Sequence, residues 1–321
     1  MKKMLVIAAA NNFNFILDIA RCLEKSGMDI KCYPFYREGS NMGVHLSDTD
    51  TVWLEWADGI CLQLLLDKQF YAPKYLRKKR VILRIHRYEL FNQNTIEAIS
   101  NIDHTIIDHL VFVSDYVRQI GISHFPWMEK GVVIPNLIDI DKFPFYERTN
   151  TKKLLFLGRI SYVKNLPLML NMFYELIQVD PEYELHLVGN IHEKELIYYL
   201  DNFLNKTKLH GKIIIHGHVE NDKLPELMKG MSHICNASIF ESQGVGILEG
   251  MATGLRPVVF NFPGAEDFFP GRYLYINRKE FFHRVASEGI DGIEPRHFRG
   301  FVMDNYSIQK KIGLYEDLID D

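Results

Sequence analysis

Glu241 and Glu249 stand eight residues apart across a glycine-rich turn, Glu241-Ser-Gln-Gly-Val-Gly-Ile-Leu-Glu249, that reads as the opening of a helix. Gly244 and Gly246 let backbone approach a ligand closely, and the unpaired N–H groups of a helix start suit a phosphate. Carboxylates repel phosphate, so the two glutamates should bracket it and accept hydrogen bonds from hydroxyls on either side. Hydroxyl, diphosphate, hydroxyl is the layout of a nucleotide-sugar, with the sugar at one end and the ribose at the other. The spacing argues against an acid/base dyad, because the two carboxylates would grip opposite ends of one molecule.

A second group lies about eighty residues earlier in Gly158-Arg159-Ile-Ser-Tyr-Val-Lys164-Asn165. Arg159 has the fork that pairs with phosphate oxygens, and Lys164 adds a second positive charge near a first helical turn. The plain alternative is a solvated loop with two surface cations. A cation pair at one strand end and a glycine-rich helix start later in the same domain converge on diphosphate binding.

The elements that must position these residues follow one pattern. Apolar strands alternate with amphipathic helices nearly end to end, which predicts parallel sheets covered by helices. The alternation restarts at Leu154-Leu-Phe-Leu-Gly158, after a polar stretch Tyr146-Glu-Arg-Thr-Asn-Thr-Lys-Lys153 that reads as a linker. We therefore expect α/β architecture with two Rossmann-like domains facing each other across a cleft, ligands binding at the carboxyl ends of the strands. Residues 1–148 form the first domain and 149–302 the second, with a closing helix at 303–321 that completes the first. The opening run Met4-Leu-Val-Ile-Ala-Ala-Ala10 after Lys2-Lys3 resembles a short signal peptide, but strand–helix–strand continues from it, so a first buried strand is the better reading. A chain of 321 residues with 47% hydrophobic and 24% charged residues suits a two-domain globular protein. A net charge of −4 gives no bulk attraction to nucleic acid. Four cysteines without framework spacing suggest a reducing compartment and hence a cytoplasmic location.

In combination, Gly158-Arg159 with Lys164-Asn165, the Glu241–Glu249 stretch and Gly254-Leu-Arg-Pro257 resemble the retaining nucleotide-sugar glycosyltransferases of GT-B architecture, family 4 or group 1 type. Arg84-Ile-His86-Arg87-Tyr-Glu89, Val111-Phe-Val-Ser114 and Ile134-Pro135-Asn136 extend the likeness into the first domain. There the sequence departs from relatives: Ala8-Ala-Ala-Asn11-Asn12-Phe13 stands where a glycine-rich loop is common. The resemblance implies that Arg159 and Lys164 hold the donor diphosphate and stabilise the leaving nucleotide. It implies that backbone around Gly246 and Ile247 supports the same phosphates, that Glu241 contacts the transferred sugar and that Glu249 binds the ribose. It also implies that His86 projects toward the sugar, the alternative being a structural histidine at a strand end. The expected catalytic set is thus Glu241, His86, Arg159 and Lys164, with Gly158, Gly244, Gly246, Ile247 and Glu249 completing the donor site. The last helix of relatives crosses back to the first domain.

The expected activity is sugar transfer from a nucleotide-sugar to a hydroxyl of a glycan or lipid-linked glycan in cell-surface polysaccharide or glycoconjugate synthesis. We expect retention, a requirement for neither metal nor cofactor, and a leaving phosphate that takes the acceptor proton. A nucleotide-sugar epimerase of similar shape, or a silent sugar-binding subunit, is the alternative. An NAD-dependent dehydrogenase is more distant, since Gly244-Val-Gly246-Ile-Leu-Glu-Gly250 has one residue too many for the dinucleotide fingerprint. Asp48-Thr-Asp50 and Asp139-Ile-Asp141 read as polar turns, and His216-Gly-His218 and His233-Ile-Cys235 lack partners at zinc spacing. Between Tyr71 and Arg87 there are seven cations, Lys74 to Arg87, and no acid. Such a patch would add peripheral contact with the inner membrane face, or is simply a solvated helix end.

Overall fold

The computed structural model describes residues 2–9, 12–35, 49–55, 62, 66, 76–286 and 295–320. The chain divides into two compact units, Met1–Leu137 with Ile308–Asp321, and Ile138–Ser307. Unit 1 holds a six-stranded parallel sheet of β1 (Lys3–Ala9), β2 (Asp29–Phe35), β3 (Thr51–Glu55), β4 (Arg80–Ile85), β5 (His109–Phe112) and β6 (Val132–Val133), in the order β2-β1-β3-β4-β5-β6. Lys3–Ala9 pairs in parallel with both β2 and β3, as the apolar run predicts for a strand flanked by neighbours. Both faces of β1, β3 and β4 are covered, so their sequences read as near-continuous apolar runs.

Unit 2 holds a second six-stranded parallel sheet: β7 (Lys153–Leu157), β8 (Glu184–Val188), β9 (Ile213–Gly217), β10 (His233–Asn236), β11 (Arg256–Phe260) and β12 (Leu274–Tyr275). Its order is β12-β11-β10-β7-β8-β9. The chain runs outward from β7 through β8 to β9, then returns to place β10 on the other side of β7. This reversal between β7 and β10 is the switch point, where adjacent connections diverge and leave a crevice at the carboxyl ends of the strands. On one face Leu155, Val188, Ile234 and Val259 pack with Leu248 and Met251 of helix Val245–Ala252. On the other, Leu154, Phe156, Leu187 and Val258 pack with Met169, Phe173 and Leu176 of helix Leu166–Val179.

The unit boundary falls at 137/138, ten or so residues before the predicted one, because the polar stretch is not a loose linker. Ile138, Ile140 and Phe143 belong to the core of unit 2. Arg148 is fastened by its guanidinium to the carbonyls of Met228 (2.6 Å), Met231 (3.1 Å) and Thr253 (2.7 Å). The return to unit 1 begins at Ile308 rather than 303, and the closing helix is two, Ile308–Lys311 and Gly313–Asp320. Gly313, a poor helix former, stands at the break. Tyr315 docks the second of these by stacking on Trp53 (5.6 Å between ring centroids) and donating to Pro135 O at 3.1 Å. No helix among the described residues is long and apolar enough to cross a membrane.

Candidate donor site and its relatives

Lys164 and Glu241 meet at the switch point of unit 2. Lys164 ends the short 3-10 turn Tyr162–Lys164 after β7, and Glu241 follows β10. Lys164 Nζ lies 2.5 Å from Glu241 Oε1. The two segments are joined through backbone as well, since Ile239 N donates to Val163 O at 2.9 Å. Glu241 Oε1 also accepts from Ser238 Oγ at 2.6 Å and Asn236 Nδ2 at 3.3 Å. Asn236 and Ser238 are not among the residues expected from the sequence to form the site. Their signal was present, however: two polar side chains at a strand's carboxyl end, directly before the first glutamate.

The helix Val245–Ala252 opens beside this pair. Its N-cap is Gly244 at φ +87°, a left-handed conformation that a side chain would strain. Ile247 N and Leu248 N both turn back to Gly244 O, so the first helical N–H groups, those of Val245 and Gly246, have no acceptor within the helix. Gly250 serves packing: a Cβ there would stand 2.7 Å from Ile234 Cδ1. Lys164, Asn236, Glu241, Gly244, Gly246 and Ile247 line one small cavity. Gly158 (φ +128°) and the exposed Arg159 follow β7 at the same end of the sheet, but Arg159 is not in the cavity lining. Glu249 lies farther along the helix, half-buried and likewise outside that lining.

His86 belongs to unit 1. Its ring is buried, with Nε2 2.7 Å from Glu55 Oε1 and a face 5.1 Å from Phe15. Glu55 ends β3 and also receives Arg84 (3.4 Å) and Trp53 Nε1 (2.9 Å), while Arg84 donates to Asn136 at 2.7 Å. Burial alone would raise the Glu55 carboxyl, but Arg84 and His86 outweigh it and bring it down to about 2. Burial lowers His86, against the pull of Glu55. The ring thus lies inside the unit with Glu55 as its partner.

The other predicted features resolve locally. Where the basic stretch is described, Arg77 and Lys78 are exposed, Lys79, Arg80 and Arg87 are half-buried and Arg84 is buried; Arg77 pairs with Asp103, Lys79 donates to Thr49 O and Arg80 to Ile319 O. Lys74 lies outside the described residues. Asp50 caps Lys3 N (2.9 Å) and Asp139 caps Asp141 N, as polar turns do, while Asp48 lies outside the described residues. His216 Nε2 lies 2.9 Å from His186 Nδ1, and His233 Nδ1 is 2.9 Å from Ser232 Oγ.

Two parallel-sheet units with a switch-point crevice define the GT-B class of fold. Anabaena HepE, solved with UDP and glucose, superposes over 100% of both chains at a TM-score of 0.79 and 14% identity. The lipopolysaccharide outer core galactosyltransferase WaaB, in its apo form, covers 99% of each chain at 0.70 and 15%. Residues 138–270, from the first residue of unit 2, match the family described as glycosyl transferases group 1. Mannosylfructose-phosphate synthase of Agrobacterium fabrum is 31% identical over 113 residues, which are 34% of this chain and 25% of that protein.

Proposed function

We propose that this chain transfers a sugar from a nucleoside diphosphate sugar to an acceptor hydroxyl, with retention and without a metal or resident cofactor. The observation that carries the reading is the Lys164–Glu241 pair at the β7/β10 switch point, beside a helix start opened by Gly244. The donor diphosphate would take the Val245 and Gly246 N–H groups and the Lys164 ammonium, with Ile247 closing the cradle and Gly158 letting the chain turn close by. Arg159 is the second cation. Charge develops on the leaving phosphate as the glycosidic bond breaks, and fixed cations and N–H dipoles stabilise it there. Glu241 would hold sugar hydroxyls and Glu249 the ribose. The leaving phosphate would accept the acceptor's proton on the face it vacates. We give the buried His86 ring a structural part, orienting the start of helix Arg87–Phe91.

UDP is the first nucleotide to test, since the HepE structures hold UDP, UDP-glucose, or UDP with glucose. A glycan or lipid-linked glycan in cell-surface polysaccharide synthesis is the proposed acceptor, with the reaction on the cytoplasmic side. The test is nucleotide release from UDP-glucose, UDP-galactose, UDP-N-acetylglucosamine and GDP-mannose, with and without lipid-linked acceptors, and calorimetric binding of UDP and GDP. Lys164→Ala should weaken nucleotide binding by about 10- to 100-fold, the worth of a charge-assisted phosphate contact. Tight nucleotide binding that ignores Lys164 would refute the site. Conversion of one nucleotide-sugar into another without acceptor would move the chain to the epimerases.

A further inference from the structure

We infer that Ser238, held by Asn236, is a positioning residue that fixes the Glu241 carboxylate; this deepens the proposed donor site and rests on it. One oxygen, Glu241 Oε1, takes three donors of different kinds: the Lys164 ammonium, the Ser238 hydroxyl and the Asn236 amide. The ammonium sits on a flexible four-carbon stem and carries the charge that a donor diphosphate attracts. The other two are neutral groups on the same short segment as Glu241 itself, and both residues are buried.

The order within that segment is complete. Asn236 Nδ2 donates to Ser238 Oγ at 2.8 Å, which leaves the hydroxyl proton aimed at Glu241. Asn236 Oδ1 accepts from Ser238 N at 3.0 Å, which settles which end of the amide is oxygen. The Asn236 carbonyl is in turn held by the buried Tyr275 hydroxyl at 2.9 Å, tying the relay to the core. A carboxylate bonded only to Lys164 would turn whenever phosphate drew that lysine away. With Ser238 and Asn236 on the same oxygen, the carboxylate keeps its orientation while Lys164 transfers its contact to the donor. The relay therefore acts on the sugar end of the donor, through Glu241, and not on nucleotide affinity.

The experiment is a double-mutant cycle on the whole chain, with turnover read on whichever of the four nucleotide-sugars named above wild type consumes, and UDP or GDP affinity read separately. Ser238→Ala should lower kcat by about 10- to 100-fold, the size expected when a contacting group is misplaced by a fraction of an ångström to an ångström. It should shift the nucleotide Kd by less than about threefold. In the Glu241→Ala background the same change should alter kcat by less than about twofold, since a residue that acts through Glu241 has nothing left to position. Ser238→Cys, close in size and a weaker donor, should fall between, and it carries the test if the alanine variant does not fold by circular dichroism. Equal losses in both backgrounds, or a nucleotide Kd that rises as far as kcat falls, would show a merely structural serine and overturn the inference. If Glu241→Ala itself turns over like wild type, the donor-site reading fails. If Glu241→Ala is impaired while Ser238→Ala and Ser238→Cys are not, only the positioning role fails. Consumption of none of the four donors would sink both.

Discussion

Replacing Glu89 by glutamine should change how unit 1 depends on pH more than how stable it is at low pH. Glu89 is wholly buried in the first turn of helix Arg87–Phe91 and accepts the His86 N–H at 3.0 Å. Burial, reinforced by the nearby charge of Glu55, raises its carboxyl well above the usual 4.5, outweighing the His86 N–H and the Arg84 charge. The native state therefore keeps a proton on Glu89 where the unfolded chain has lost it. With the folded value above the unfolded one, stability falls as pH rises from about 4.5 to the folded value, by up to about 1.4 kcal/mol per pH unit. Glu55 works in the opposite sense: its contribution is present above its usual value and disappears as pH falls toward about 2. Glutamine copies the neutral form and can keep the capping contact, so Glu89→Gln should abolish the decline at higher pH and leave the acid arm in place. Urea unfolding followed by tryptophan fluorescence isolates unit 1, because Trp53, Trp56 and Trp127 all precede residue 138. Between about pH 5 and pH 7 the variant should gain steadily on wild type in unfolding free energy and in Tm. Parallel profiles across that range would mean that Glu89 is ionised in the fold, and the reasoning would be wrong.

Two further changes probe unit 2. Gly250→Ala gains about 1 kcal/mol in helix propensity, but its methyl would stand 2.7 Å from Ile234 Cδ1 and 3.0 Å from Cγ2, and overpacking costs about 1–3 kcal/mol. A small net loss in Tm is expected, partly recovered by adding Ile234→Val; a rise in Tm from Gly250→Ala alone would contradict the packing. Arg148→Met removes a guanidinium that satisfies carbonyls at the ends of helices Leu224–Lys229 and Val245–Ala252, and should destabilise unit 2 by about 2–4 kcal/mol in urea melts. Arg148→Lys should recover only a fraction, since a single ammonium cannot serve both helix ends, and full recovery would refute the bridging role.

What the sequence determined by itself was whatever short-range chemistry records. Apolar runs such as Leu154–Leu157 and helical spacings such as Leu166, Met169, Leu170 and Phe173 report burial and periodicity, and both sheets follow from them. Gly244 before Val245 marked a helix start because a left-handed N-cap is a local backbone requirement. Tertiary structure alone decided the rest. That Lys164 meets Glu241 depends on β10 lying beside β7, a pairing between strands nearly eighty residues apart that no periodicity encodes. The same holds for Glu55, a polar residue at the end of β3, against which β4 brings Arg84 and His86. It holds for the basic stretch too, where side chains that read as a surface patch find Asp103, Thr49 and Ile319 within the unit. Residue type fixes which bonds a side chain can make, whereas strand order and packing fix which partner is within reach.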